Sequence, residues 1–215
     1  MHRVGIIGLA GGTIAHQFTK VYGPVPIDGV EIDPAIVNVG RKYFGMNEAN
    51  LHVYVQDGRT FLDTTAARYD LVAIDAFQQP YIPFQLTTRE FFTTIRSHLS
   101  STGVVVLNTA HTTHDYRLVQ AFINTMSQVF PSVYTLNVPG TFNTEVMATV
   151  QPTSISTFRA NLAQFAPTSV MGQVASEVSP VVREGHADGG IVFTDDRAPI
   201  EQITDQLLLS YIQQQ

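Results

Sequence analysis

A chain of 215 residues with 44% hydrophobic and 14% charged side chains is long enough to bury a substantial core and too apolar to be disordered. Its net charge of −6, with Lys20 and Lys42 as the only lysines and no basic cluster, argues against a nucleic-acid partner, which requires cations to neutralise phosphates. No apolar run approaches the roughly 18 residues that would mark a membrane span, and the lack of cysteine excludes disulfides and thiolate metal sites, so a cytoplasmic protein without membrane contact is the expectation.

Val4 to Leu9 is an unbroken apolar run, as expected of a central parallel strand covered on both faces. Gly8, Gly11 and Gly12 make a glycine turn into a helix over Thr13–Val21. Pro24 and Pro26 mark the connection to a second strand, Ile27–Ile32. Asp33-Pro34 then reads as an N-cap followed by the first helical position, and apolar residues at helical spacing carry that helix to Gly45. Leu51–Val55 alternates as a third strand, Asp57-Gly58 closes it, and Arg59–Thr65 is a short helix. Tyr69–Ile74 is a further apolar strand ending in Asp75. The loop Ala76–Phe84 contains two prolines and is neither helix nor central strand.

A helix from about Leu86 to Leu99, a fifth strand over Gly103–Leu107 and a helix over His114–Phe130 follow. Val133–Asn137 and Glu145–Val150 read as an antiparallel pair, and Ile155–Phe165 as a helix. Residues 171–192 show no clear period; Val192–Pro199 is a compact polar turn and Ile200–Ile212 a terminal helix. The alternation predicts an α/β fold, with a doubly wound, mostly parallel sheet and an antiparallel edge hairpin. A single domain over 1–215, with a helical tail from about 152, is the expected organisation.

The glycine turn and the helix behind it predict a nucleoside-containing ligand at the carboxyl ends of the strands. Glu31, near the tip of the second strand, can accept both hydroxyls of a ribose. Ala10 and Thr13 stand where the dinucleotide fingerprint G-x-G-x-x-G needs glycines, so an S-adenosylmethionine-type ligand suits the turn at least as well as a pyrophosphate. Asp57 and Gly58 can hold an adenine edge, with a plain turn residue before glycine as the lesser alternative for Asp57. Asp75 can take a proton from an attacking amine, or cap its loop. Phe77, Tyr81 and Phe84 either wall an acceptor pocket or fill the core. His16 and Gln17 lie near the expected cofactor tail. His111 and His114 lack helical metal-pair spacing and a nearby carboxylate pattern, so no metal is expected. Asp195-Asp196 is expected to cap the last helix and anchor the tail.

Gly8-Leu-Ala-Gly-Gly-Thr, Val30-Glu-Ile-Asp-Pro, Asp57-Gly-Arg and Tyr69-Asp-Leu-Val-Ala-Ile-Asp-Ala-Phe resemble the spermidine synthase (polyamine aminopropyltransferase) family across residues 3–110. Phe193-Thr-Asp-Asp-Arg-Ala-Pro-Ile-Glu resembles the C-terminal signature of its bacterial spermidine-synthase-like branch. The resemblance implies a class I methyltransferase-like Rossmann fold that moves an aminopropyl group from decarboxylated S-adenosylmethionine to an amine such as putrescine, without a metal. It assigns Glu31 to the ribose, Asp57 to the adenine and Asp75 as the base. Gln78 or Gln79 would orient the small-molecule amine acceptor, Tyr81 would line its pocket, and the working unit would be a homodimer.

Three departures qualify it. Gly11 replaces an Asp that binds the donor's primary amine, Gln78 replaces a second Asp, and the sequence opens on a core strand without the family's N-terminal β-domain. Loss of the first Asp also removes a repulsion against intact S-adenosylmethionine. A methyltransferase and a non-catalytic nucleoside-binding module therefore stand as alternatives.

Overall fold

The computed structural model describes residues 1–213. Eight strands form one sheet: β1 (Val4–Ile7), β2 (Ile27–Glu31), β3 (Leu51–Val55), β4 (Tyr69–Ile74), β5 (Leu99–Ala110), β6 (Ser132–Asn137), β7 (Asn143–Thr149) and β8 (Val182–Glu184). Their order is β3-β2-β1-β4-β5-β7-β6-β8. The first five are parallel; β7, β6 and β8 pair antiparallel with their neighbours. The chain winds outward from β1 to β3 and then resumes on the other side at β4. The crevice between β1 and β4 is therefore the topological switch point, where open α/β sheets receive ligands.

The helices are α1 (Thr13–Tyr22), α2 (Pro34–Tyr43), α3 (Gly58–Thr64), α4 (Arg89–His98), α5 (Arg117–Ser127), α6 (Ile155–Leu162), α7 (Val170–Val178) and α8 (Ile200–Gln213). Among the described residues, no helix is long and apolar enough to cross a membrane. Two cores sandwich the sheet. The larger joins Ile74, Phe91, Leu107, Phe122 and Ile203; the smaller joins Val4, Ile6, Ala15, Ile27 and Val37 beneath α1 and α2. The unbroken apolar reading of β1 is explained by this, since Ile6 faces one core and Ile7 the other. At the far end of the α1–α2 face, Phe158 of α6 stacks on Tyr134 of β6, with ring centroids 6.5 Å apart. The middle of that face, over β4, β5 and β7, carries a groove described below.

Three differences between sequence and structure have a clear physical setting. β5 begins at Leu99 rather than Gly103, because Leu99 pairs with Tyr69 and carries the exposed polar residues 101–102 along as strand. α5 begins at Arg117 rather than His114. There the Thr112 hydroxyl accepts the Asp115 amide at 3.1 Å, and the Asp115 carboxylate accepts the Arg117 amide at 3.0 Å, making a turn ahead of the helix. Residues 171–192, which showed no clear period, hold most of α7 and all of β8.

One buried polar contact ties the strands together. Asp28 of β2, 2% exposed, accepts the Tyr69 hydroxyl at 2.9 Å and Arg3 at 3.1 Å. Burial, followed by the Asp28 charge, raises the Tyr69 phenol far above its usual range. Tyr69→Phe is expected to leave this carboxylate short of a donor and to cost about 1–3 kcal/mol. Urea unfolding should show a lower midpoint at an unchanged slope.

Candidate active site

The turn after β1 depends on two glycines for different reasons. Gly8 has φ +89°, its amide donates to the Val30 carbonyl at 2.8 Å, and a Cβ on it would lie 2.3 Å from the Asp75 carbonyl oxygen. It therefore lets the ends of β1 and β4 touch. Gly12, at φ +82°, sits at the N-cap of α1, and a Cβ there would lie 2.4 Å from Met46 Cγ. Gly11 is less constrained: a Cβ would approach Phe44, which is 67% exposed, at 3.3 Å. Between Gly11 and α2 lies an open apolar groove of about 400 Å³ along Ile36, Val39 and Phe44.

Glu31 ends β2 nearly buried. Its Oε2 accepts the Leu9 and Ala10 amides at 3.2 and 3.3 Å, and its Oε1 accepts the Asp33 amide at 3.1 Å. Two amides of the turn are thus committed to Glu31. Carboxylate oxygens accept more than one bond each, so Oε1 retains capacity for a hydroxyl donor. Asp33 caps α2 as expected, accepting the Ala35 amide at 2.7 Å.

Asp57 is the N-cap of α3: Oδ1 accepts the Thr60 amide at 2.9 Å, while Oδ2 is held loosely by Gln85 at 3.4 Å. Gly58 is buried because α3 sits directly on β1, where a Cβ would lie 2.4 Å from Ile7 Cγ2. At the carboxyl edge of the sheet Asp57 thus caps α3, and Gly58 lets the helix pack on β1.

Asp75 follows β4 at the switch point. Its amide donates to the Ile7 carbonyl at 2.8 Å, and its Oδ1 accepts Asn108 Nδ2 at 2.9 Å. Asn108 of β5 stands opposite Glu145 of β7. Burial and, secondarily, the Asp75 charge push the half-buried Glu145 carboxyl up to about 7. Sequence reasoning passed over both Asn108 and Glu145. No local pattern marks them: the register that pairs Ile74 with Leu107 sets Asp75 beside Asn108.

The acceptor-side residues are dispersed. Gln78 and Tyr81 close a four-residue turn through reciprocal backbone bonds of 2.8 and 3.0 Å, leaving Gln78 and Gln79 exposed. The Tyr81 hydroxyl donates to Asp205 of α8 at 2.7 Å, a bond that raises its pKa. Phe77 packs on the larger core and Phe84 is half exposed. His16 bonds Glu48 at 2.9 Å. His111 bonds the Thr144 hydroxyl at 3.0 Å, stacks on Tyr116, and has its pKa lowered by burial. Among the described residues no three His, Asp or Glu side chains form a metal-ligand set.

Asp195 anchors the C-terminal turn by a route the sequence did not indicate. It grips Arg59 of α3 through two bonds of 2.8 and 2.6 Å and accepts the Thr88 hydroxyl at 2.7 Å. The guanidinium holds the Asp195 carboxyl below its usual range.

Five parallel strands in the order 3-2-1-4-5, continued by an antiparallel pair, place the molecule in the class of methyltransferase-like Rossmann domains. Within that class the spermine/spermidine synthase domain matches residues 1–160, and the chain belongs to that family. It is 33% identical over 217 aligned positions to a probable polyamine aminopropyl transferase of Bifidobacterium longum (strain NCC 2705), covering 91% of this chain and 47% of the relative. The chain thus spans about half the length of that protein. Among solved structures, a probable spermidine synthase of Corynebacterium glutamicum ATCC 13032 shares the fold at TM-score 0.71 and 21% identity, covering 92% of this chain and 73% of that one. Human methyltransferase-like protein 13, in complex with SAH, shares it at TM-score 0.63 and 22% identity, covering 84% and 81%.

Proposed function

We propose that the chain is an aminopropyltransferase that uses decarboxylated S-adenosylmethionine and a small amine such as putrescine. The observation that carries this reading is the position of Asp75: at the switch point, in contact with the glycine turn's strand, and open to a groove on the sheet face. The amine nitrogen attacks the methylene carbon next to the sulfonium. The carbon–sulfur bond breaks, its electron pair stays on sulfur, and neutral methylthioadenosine leaves. Asp75 accepts the proton shed by the attacking nitrogen. Sulfonium is already a good leaving group, so alignment of nitrogen, carbon and sulfur supplies much of the rate. Glu31 takes the ribose hydroxyls through its spare capacity, Asp57 and Gly58 border the adenine, and Gln78 or Gln79 orients the acceptor. Membership of the family and the name of the Bifidobacterium relative support the reading.

A second reading, methyl transfer from intact S-adenosylmethionine, is favoured by Gly11, which offers no carboxylate to hold the donor's amine or to repel its carboxylate. The fold of the human methyltransferase agrees with it. Offering the purified chain both donors with putrescine and reading products by mass decides between them. Methylthioadenosine with spermidine is expected; S-adenosylhomocysteine with a methylated amine would overturn the proposal.

A further inference from the structure

We infer that Glu145 selects a diamine acceptor: its carboxylate holds the distal ammonium while the proximal amine faces Asp75. The inference rests on the transferase reading above and deepens it. Asp75, Asn108 and Glu145 stand in one row across three adjacent strands, at the carboxyl ends of β4 and β5 and the amino end of the antiparallel β7. Two strand spacings separate the outer pair, about 10 Å between backbones. All three line the same groove, of about 240 Å³, whose remaining walls are apolar, notably Ile14 and Phe18 of α1, Leu71 of β4 and Val106 of β5.

The polar groups of this row are mismatched. The Asn108 amide nitrogen donates to Asp75, but its Oδ1 is buried without a hydrogen-bond partner. Neither Asp75 nor Glu145 has a cationic partner among the described residues. The row therefore holds two carboxylates without a cation and an amide oxygen without a donor. A buried acceptor without a donor costs free energy until a donor arrives. The ligand that completes it carries N–H groups and positive charge at its ends and methylenes between them. The loop side offers only the uncharged Gln78 and Gln79, so the second negative charge stands on the sheet.

Glu145's own titration agrees. The group that shifts it besides burial is Asp75 on β4. The facing residues on the other elements, Asn108 on β5, Leu136 on β6 and Ile14 and Phe18 on α1, do not titrate. An ammonium bound there would favour the ionised carboxylate and release a proton near neutral pH.

Calorimetry of the full chain, with and without methylthioadenosine, provides the test. The wild-type chain should bind 1,4-diaminobutane at least 10-fold more tightly than butylamine, and Glu145→Gln should erase that preference by weakening the diamine alone. Glu145→Asp should keep part of it. Wild-type diamine affinity should also fall between pH 8 and pH 6, whereas butylamine affinity should change less. Equal affinity of the wild type and E145Q for the diamine, or equal losses for both amines, would overturn the inference. Should E145Q fail to fold, the wild-type pH series decides, and a diamine preference that stays flat across it counts against Glu145. Binding is read without turnover. A chain that binds the diamine through Glu145 but forms no methylthioadenosine overturns the transferase reading alone.

Discussion

Asp75→Asn is expected to slow amine-dependent release of methylthioadenosine by about 10²–10⁴-fold, the range that a positioned general base contributes. The substitution is nearly isosteric. Asparagine at this position can still accept Asn108 Nδ2 through its carbonyl oxygen, so the contact at 2.9 Å need not be lost. What it cannot do is take a proton at neutral pH. In the proposed reading the nucleoside is held at Glu31, away from the Asp75 side chain. Methylthioadenosine should therefore raise the melting temperature of D75N and of the wild type alike. Steady-state kinetics with product mass spectrometry reads the first effect, and thermal shift the second. A D75N variant as fast as the wild type would remove Asp75 from the chemistry. Joint loss of turnover and nucleoside binding would make it a structural residue.

The largest stability effect is expected at Gly8→Ala. Two penalties coincide there: a left-handed φ of +89°, and a Cβ that would sit 2.3 Å from a backbone oxygen at the end of β4. Left-handed strain costs about 1 kcal/mol, and overpacking against backbone about 1–3 kcal/mol more. For a chain of this size that sum corresponds to a fall in melting temperature of about 5–15 °C. Gly11→Ala is the control within the same turn. Its Cβ meets only the exposed ring of Phe44, at 3.3 Å, which can move aside. Circular-dichroism melts of the two variants test the distinction. Equal melting of Gly8→Ala and Gly11→Ala would mean that β1 and β4 do not meet at Gly8.

The parallel half of the sheet was legible because its signals are local. Apolar runs marked β1 and β4, and Asp33-Pro34 marked the start of α2 to the residue. The region of α7 and β8 was not, because its packing carries no apolar stripe. α7 buries only Gly172 and Ala175, with Gly172 so close to the Ala166 carbonyl that a Cβ would lie 2.0 Å from it. β8 is three residues long and buries Val182 alone. Small residues and one valine do not make a readable period.

At the site the same division holds. Gly8, Glu31 and Asp75 could be placed because each ends or follows a strand. Asn108 and Glu145 could not, because their meeting depends on the antiparallel register of β5 with β7, which no local pattern specifies. The engagement of Tyr81 with Asp205 was equally hidden, since 124 positions separate the two.

The grip of Asp195 on Arg59 spans 136 positions of sequence, and it ends two residues from Asp57, on the helix that Asp57 caps. During synthesis α3 can form early, from its own cap and its seat on Ile7. Its outer face acquires this ionic partner only after residue 195 has been made. The edge of the sheet beside Asp57 is thus finished late, by a part of the chain that contributes no strand to the parallel half of the sheet.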